Sequence, residues 1–167
     1  MLDTSAFLAG FDPFSLKEEQ VTIPKVGEEI RANSMAWVRF NTAAESGKIK
    51  IKSPSEEYWS KVKASARKIG DSYFLSETDS QLLALALEYK AEGYIPQIVT
   101  DDYSIQNVAT QMGIEFLALA TFGIRRLLEW IRYCPACHKQ CPTNCSFNTC
   151  QVCGTELKRK PKRTAKK

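Results

Sequence analysis

The stretch YIPQIVTDDYSIQNVATQMGIEFLAL, residues 94–119, decides the fold. YIPQIVT is an apolar run opened at its start by Pro96, as suits a strand that begins there. Asp101 and Asp102 follow, and the segment from there through Met112, closed by Gly113, reads as a helix with its stop. IEFLAL, 114–119, is a second strand. Strand, helix and strand in one short unit imply a parallel sheet, because only a crossover can return the chain to the same edge. In an open parallel sheet the working crevice lies beyond the carboxyl ends of the strands, where the Asp101-Asp102 pair falls.

Working outward, the same alternation continues toward the N-terminus. Met1 and Leu2 form a short strand ending at Asp3. A helical region starts near Pro24 and carries Ile30, Trp37 and Phe40 on its apolar side. KIKIK, 48–52, is a strand with Ile49 and Ile51 inward and lysines outward, which suits a protected edge. Ser53-Pro54-Ser55-Glu56 predicts a capping-box start for a helix that stops at Gly70. Leu82–Tyr89 belongs to a further helix, capped by Ser76 or Thr78 and stopped by Gly93. Gly27, Gly47, Gly70, Gly93 and Gly113 mostly follow helical segments. The expected class is α/β, a parallel sheet with helices on both faces over residues 1–120.

At 167 residues with 44% hydrophobic content, the chain holds one core of roughly 100 to 150 residues and a small appendage. Its longest apolar run, Leu82–Leu87, is far below the roughly 20 residues of a membrane-spanning helix. No basic-then-apolar leader opens the sequence. A cytoplasmic protein with reduced thiols and no membrane partner is expected. The net charge of +4 is uneven: KRKPKRTAKK, 158–167, carries seven positive charges and no acid, leaving residues 1–157 at 16 basic against 19 acidic, or −3. Such a tail is expected to be disordered and to attract a nucleic-acid backbone. A second basic zone, 47–70, has seven lysines and arginines against two glutamates.

Several acids fall at or beside strand ends: Asp3, the Asp101-Asp102 pair, Asp79 at a helix start, and Glu28 or Glu29 from the early helix. Singly, each has an ordinary reading as a helix cap or turn residue. Together, without basic partners, such carboxylates repel one another unless a hard cation such as magnesium or manganese sits among them. The single histidine lies among the cysteines. No phosphate-binding glycine loop or nucleophile elbow is present, so no nucleotide cofactor is expected and water activated by a divalent ion is the available nucleophile.

All six cysteines lie in CPACHKQCPTNCSFNTCQVCG, 134–154. Cys134 and Cys137, then Cys150 and Cys153, make two Cys-x-x-Cys pairs with 12 residues between them, the pattern of a four-thiolate structural zinc site, one ion per chain. Cys141 and Cys145 are left as partly exposed loop thiols, and His138 with them cannot complete a second site. The zinc supplies what a module of this size cannot obtain from a core of its own.

LDTSAFL with Asp3, VGEEI, LSETDSQLLALA with Asp79 and IVTDDYSIQNVA with Asp102 resemble, in order, the four signatures of PIN-domain ribonucleases over residues 1 to about 120. TDDYSIQNVATQMG followed by a ribbon of paired Cys-x-x-Cys resembles more narrowly the Nin-one-binding endonucleases of archaeal form. The resemblance implies Asp3, Glu29, Asp79 and Asp102 as the metal-holding acids, with Thr100 and Asp102 in a Thr-x-Asp motif and Asp101 at its variable position. It implies a metal-dependent endoribonuclease that hydrolyses precursor small-subunit ribosomal RNA at its 3′ end, in the pre-ribosomal small subunit. The expected organisation is a PIN-like nuclease domain at 1–120, a helical connector at 121–133, a zinc ribbon at 134–157 and a basic disordered tail at 158–167. Arg125, Arg126, Arg132, Lys158, Arg159, Lys160, Lys162 and Arg163 are the candidate RNA-binding residues. The rival readings are a toxin-like PIN ribonuclease acting on other RNA and a noncatalytic zinc-ribbon RNA-binding scaffold.

Overall fold

The computed structural model describes residues 1–124, 127–141, 145 and 147–162. The candidates Arg125, Arg126 and Arg163 lie outside the described residues. The chain runs through α1 (Thr4–Leu8), a 3-10 turn (Pro13–Ser15), β1 (Gln20–Thr22), α2 (Pro24–Glu29), α3 (Met35–Glu45) and β2 (Ile49–Ile51). It continues through α4 (Glu56–Ile69), α5 (Glu77–Ala91), β3 (Gln97–Val99), α6 (Tyr103–Gln111) and β4 (Glu115–Leu117). Three strands finish it: β5 (Trp130–Tyr133), β6 (Gln140–Cys141) and β7 (Lys158–Pro161).

The parallel sheet is present, and its centre is the first three residues. β1 pairs with β2 and β3 with β4, all parallel. Leu2 bridges Val99 in parallel, and its N–H donates to the Val21 carbonyl at 3.0 Å, so Met1–Asp3 joins the two pairs. Leu2, Phe7, Ile23, Leu82, Leu83, Ile98 and Ile105 are fully buried around that seam. The helix α5, ETDSQLLALALEYKA, is buried on nearly every side and packs against α4 and α6, which explains its long apolar run.

Several expectations need correction. The early helical region is two helices, α2 and α3, and β1 precedes them unforeseen; Gly27 lies inside α2, where a Cβ would come within 2.7 Å of the Phe40 ring, so it serves close packing and not a stop. Ile49 is buried, but Ile51, at the far end of the same edge strand, is 44% exposed and does not face inward with it. The predicted capping box at α4 does not form: Ser55 makes no side-chain cap, and its N–H donates to Glu88 Oε2 of α5 at 3.0 Å. Ser76, by contrast, forms a full capping box with Asp79.

The larger correction concerns the C-terminal part. The expected helical connector instead ends in β5, the middle strand of a three-stranded antiparallel sheet ordered β6-β5-β7. The first residues of the expected disordered tail form β7, paired along the whole of β5 from Tyr133↔Lys158 to Trp130↔Pro161. Cys141 and Cys145 are buried with Cys134, Cys150 and Leu157 in the ribbon's own small core, not partly exposed in a loop.

Two helix-borne amides and an arginine tie this ribbon to the first domain. Gln106 accepts from the Ile124 N–H at 2.9 Å, and the Asn107 side chain bonds both the N–H and the carbonyl of Leu128 at 2.8 Å. Arg159 on β7 reaches Asp71 at 3.2 Å while its guanidinium lies between Phe74, 3.5 Å from the ring centroid, and Trp130, 4.3 Å. Asp71 is 1% exposed, and burial raises its pKa against the Asn107 hydrogen bond and the Arg159 charge.

Candidate active site and metal centre

Asp3 ends the central strand and is 4% exposed. The hydroxyls of Ser5 and Thr100 donate to its Oδ2 at 2.6 and 2.8 Å, which fixes the carboxylate from two elements at once. The same two hydroxyls accept from the backbone beyond β3: Asp101 N–H donates to Ser5 Oγ at 3.0 Å and Asp102 N–H to Thr100 Oγ1 at 3.1 Å. The ends of two neighbouring parallel strands are thereby locked side by side. Ser5 carries little signal in the sequence beyond its position two residues after an acid at a strand end.

The capping reading and the clustering reading of the acids describe one geometry. Asp3 caps α1, Asp79 shares the capping box of α5, and Asp102 caps α6 through the N–H groups of Ser104 and Ile105. α1 and α6 each start where a strand of the sheet ends, and α5, which follows α4, brings Asp79 near enough to feel the charges of Asp3 and Asp102; at all three N-termini the helix dipoles favour negative charge. The charges also act on one another. Burial, followed by the charges of Asp3 and Asp102, pushes the Asp79 carboxyl up to about 6 against the hydrogen bonds from Ser76. Burial likewise raises Asp3, opposed by its hydroxyl donors. Among the described residues no ion pair involves Asp3, Glu29, Asp79 or Asp102. Glu29 joins the edge through Thr4, whose hydroxyl donates to its Oε2 at 2.6 Å, whereas among the described residues no such bond marks Glu28. Like charges converging without a basic partner fit a divalent cation, although among the described residues no three carboxylates draw within 4.8 Å of one another.

Asp101 does something else. Desolvation works against it, yet the N–H groups of Thr121, Ala120 and Leu119 and the Thr121 hydroxyl hold its carboxyl below the usual range. These donors lie 2.9 to 3.1 Å from its oxygens and fold the loop after β4 around it.

Cys134, Cys137, Cys150 and Cys153 place their sulfurs within 4.8 Å of one another. Cys134 and Cys153 are 3.3 Å apart, Cys137 and Cys150 3.5 Å. Four sulfurs at about 2.3 Å from a tetrahedral zinc stand about 3.8 Å apart, so the cluster fits that ion. Thr155, through its hydroxyl and then its N–H, pulls the Cys153 thiol down to about 6. Although the Lys139 N–H acts the other way, the neighbouring sulfurs push Cys137 up to about 12. A cation among the four removes that conflict. His138 is exposed, in the left-handed region at φ 59°, as a turn residue of the first knuckle.

The candidate RNA-binding residues divide. Arg132 turns into the ribbon, donating to the Phe147 carbonyl and Asn148 Oδ1 at 2.9 Å and lying over Tyr73, so it organises the module. Arg159 is committed to Asp71. Lys158 is exposed, and Lys160 and Lys162 border a depression of about 750 Å³ on the ribbon together with Ile131 and Gln140. No helix of the described residues is long and apolar enough to cross a membrane.

Comparison with known proteins agrees with this anatomy. The family described as PIN domain of ribonuclease matches residues 1–89. Endoribonuclease Nob1 of Methanocaldococcus jannaschii is 38% identical over 160 residues, 96% of this chain and 76% of that protein. Endoribonuclease Nob1 of Pyrococcus abyssi is 35% identical over 163 residues, 98% of this chain and 94% of that protein. Ribonuclease VapC1 of Thermoplasma acidophilum is 43% identical over 111 residues, 66% of this chain and 54% of that protein. An acid-edged parallel sheet joined to a four-cysteine ribbon, and matched over both parts, places this chain in the Nob1 family: it is a metal-dependent endoribonuclease built on a PIN domain.

Proposed function

We propose that this enzyme acts in the cytoplasm on the pre-ribosomal small subunit, cutting precursor small-subunit ribosomal RNA at its mature 3′ end and leaving a 3′ hydroxyl and a 5′ phosphate. The observation that carries the hydrolytic part is the acid edge, where Asp3 and Asp102 cap α1 and α6 and Asp79 stands in the first turn of α5, with no ion pair to any of them among the described residues. With Glu29, these are the residues that would hold magnesium or manganese. Such an ion, when bound, lowers the pKa of water and neutralises charge on the phosphate and leaving oxygen. The chain's own residues supply position: Ser5 and Thr100 hold the Asp3 carboxylate in one orientation, and the Ser76 N–H holds Asp79. The choice of substrate is supported by the nuclease domain and ribbon standing in one chain, as in the Nin-one-binding endonucleases it resembles. One zinc per chain would keep the ribbon folded, with Lys158, Lys160 and Lys162 facing the RNA backbone.

The test is incubation of the zinc-loaded full chain with a precursor RNA spanning the 3′ boundary, with magnesium, manganese or neither, and mapping of the ends. A single cut at the boundary that needs the added ion supports the proposal. Scattered cutting of unrelated RNA at the same rate would favour the toxin-like reading, and binding without cutting the scaffold reading.

A further inference from the structure

The basic zone at 47–70 finds a use in the groove between α4 and the start of α5. Trp59, Lys63 and Arg67 recur at the four-residue spacing that puts them on one face of α4. That face forms one wall of a cavity of about 500 Å³, and Ser72, Ser76 and Ser80 line it from the side of α5. Its size is that of a small-ligand site. Ser76, in its lining, donates its N–H to Asp79 Oδ2 at 2.8 Å, so the cavity stands one residue away from the acid edge. Lys63 and Arg67 are exposed and enter no salt bridge among the described residues, while the acid at the rim, Glu77, is taken by Lys25 at 2.8 Å. The Lys63 ammonium stands 3.5 Å from the centroid of the Trp59 ring. The indole Nε1 of Trp59 is buried and has no hydrogen-bond partner among the described residues.

We infer that this groove is a nucleotide subsite for single-stranded RNA, taking the nucleotide next to the phosphate that is cut. The inference rests on the reading of Asp79 as part of the cutting edge. An indole face accepts any base by stacking, and two cations beside it answer the adjoining phosphates. Hydroxyls of Ser72, Ser76 and Ser80 suit the ribose and its 2′-hydroxyl. Lys63, parked over the indole in the free protein, moves to the phosphate as the base takes its place. Attraction from the ribbon supplies affinity from a distance; this groove orients the strand at the site of chemistry.

The test uses the zinc-loaded full chain and a short labelled oligouridine with no magnesium or manganese added, so that binding is read apart from cleavage. Lys63→Ala with Arg67→Ala should weaken binding roughly tenfold and flatten its salt dependence by about 0.7 in log–log slope for each phosphate contact removed. Lys61→Ala with Lys68→Ala removes the same charge from the same helix outside the groove and should change affinity far less. Trp59→Phe keeps the packing and should lose most of the tryptophan quenching that RNA produces. Equal losses from both lysine–arginine and lysine–lysine pairs, or no loss from the first, would overturn the subsite, as would undiminished quenching in Trp59→Phe. If the groove binds RNA but the precursor is never cut, the proposed reaction fails and the subsite stands; if the precursor is cut correctly while the groove variants bind as the parent does, the subsite alone fails.

Discussion

Two adjacent aspartates show how much one position matters. Asp101 and Asp102 follow the same strand, but Asp101 turns to the loop after β4 and Asp102 to the N-terminus of α6. Loss of an outer-shell partner of a metal costs about 10- to 100-fold, so loss of a ligand charge should cost more than about 100-fold. Asp102→Asn is therefore expected to lose cleavage to that extent, and Asp101→Asn only a few-fold; initial rates on one RNA at saturating manganese compare them, and equal losses would reverse the assignment. Asp79 makes a second prediction. Its folded pKa of about 6 lies above the ordinary aspartate value, so between roughly pH 4 and 6 the native state holds a proton that the unfolded chain has released. Stability of the protein without magnesium or manganese should fall as pH rises through that window. Asp79→Asn should remove this dependence, giving a higher Tm than the parent at pH 7.5 and a gap that closes by about pH 4. A gap of constant size would mean that ionisation of Asp79 is not responsible.

At the scale of elements, α4 and the ribbon meet closely at Gly70. Gly70 ends α4 at φ 78°, and a Cβ there would meet the Trp130 carbonyl oxygen at 2.5 Å. Gly93 has a similar φ of 93° with nothing within 4 Å. Gly70→Ala should thus cost the αL strain of about 1 to 3 kcal/mol and a steric penalty besides, and Gly93→Ala the strain alone. Denaturant midpoints of the two variants check the order. Arg159→Ala should act mainly on stability, because it strips a buried carboxylate of its charge partner; with the arginine partly exposed, about 1 to 3 kcal/mol is expected. Lys160→Ala should leave stability nearly unchanged. The reverse pattern would return Arg159 to the RNA-binding set.

For the whole molecule, the consequence is that the ribbon begins before its first cysteine and ends after its last. β5 precedes Cys134 and β7 follows Cys153, and they pair with each other. A chain ending at residue 157 keeps all four thiols but loses β7 and the Asp71–Arg159 pair, so its Tm and zinc retention should both drop. A chain ending at 162 keeps β7 and should hold one zinc as the parent does. Cys134→Ser should release the zinc outright, whereas Cys141→Ser with Cys145→Ser should retain it at a cost in stability, since both thiols are buried. Metal content and thermal melts of these variants decide the matter; zinc loss from the Cys141 and Cys145 change would redraw the ligand set.

What the sequence by itself determined was whatever depends on near neighbours in the chain. YIPQIVT, the following aspartates and Gly113 mark strand, turn and helix locally, and two Cys-x-x-Cys pairs mark a metal knuckle by spacing alone. The order of the acids along the chain was legible too. Tertiary structure decided the rest, because it turns on partners far away. FGIRRLLEWIRY has an apolar spacing that a helix satisfies, yet Trp130–Tyr133 is a strand since β6 and β7 supply its hydrogen bonds from later in the chain. Arg159 reads as one more tail charge until Asp71, Phe74 and Trp130 close around it. Met1 and Leu2 read as a short strand from the sequence, but only the two strands that flank it make it the centre of the sheet. Pairing across the chain is a property of the folded surface, and local periodicity carries no record of which surface will be met.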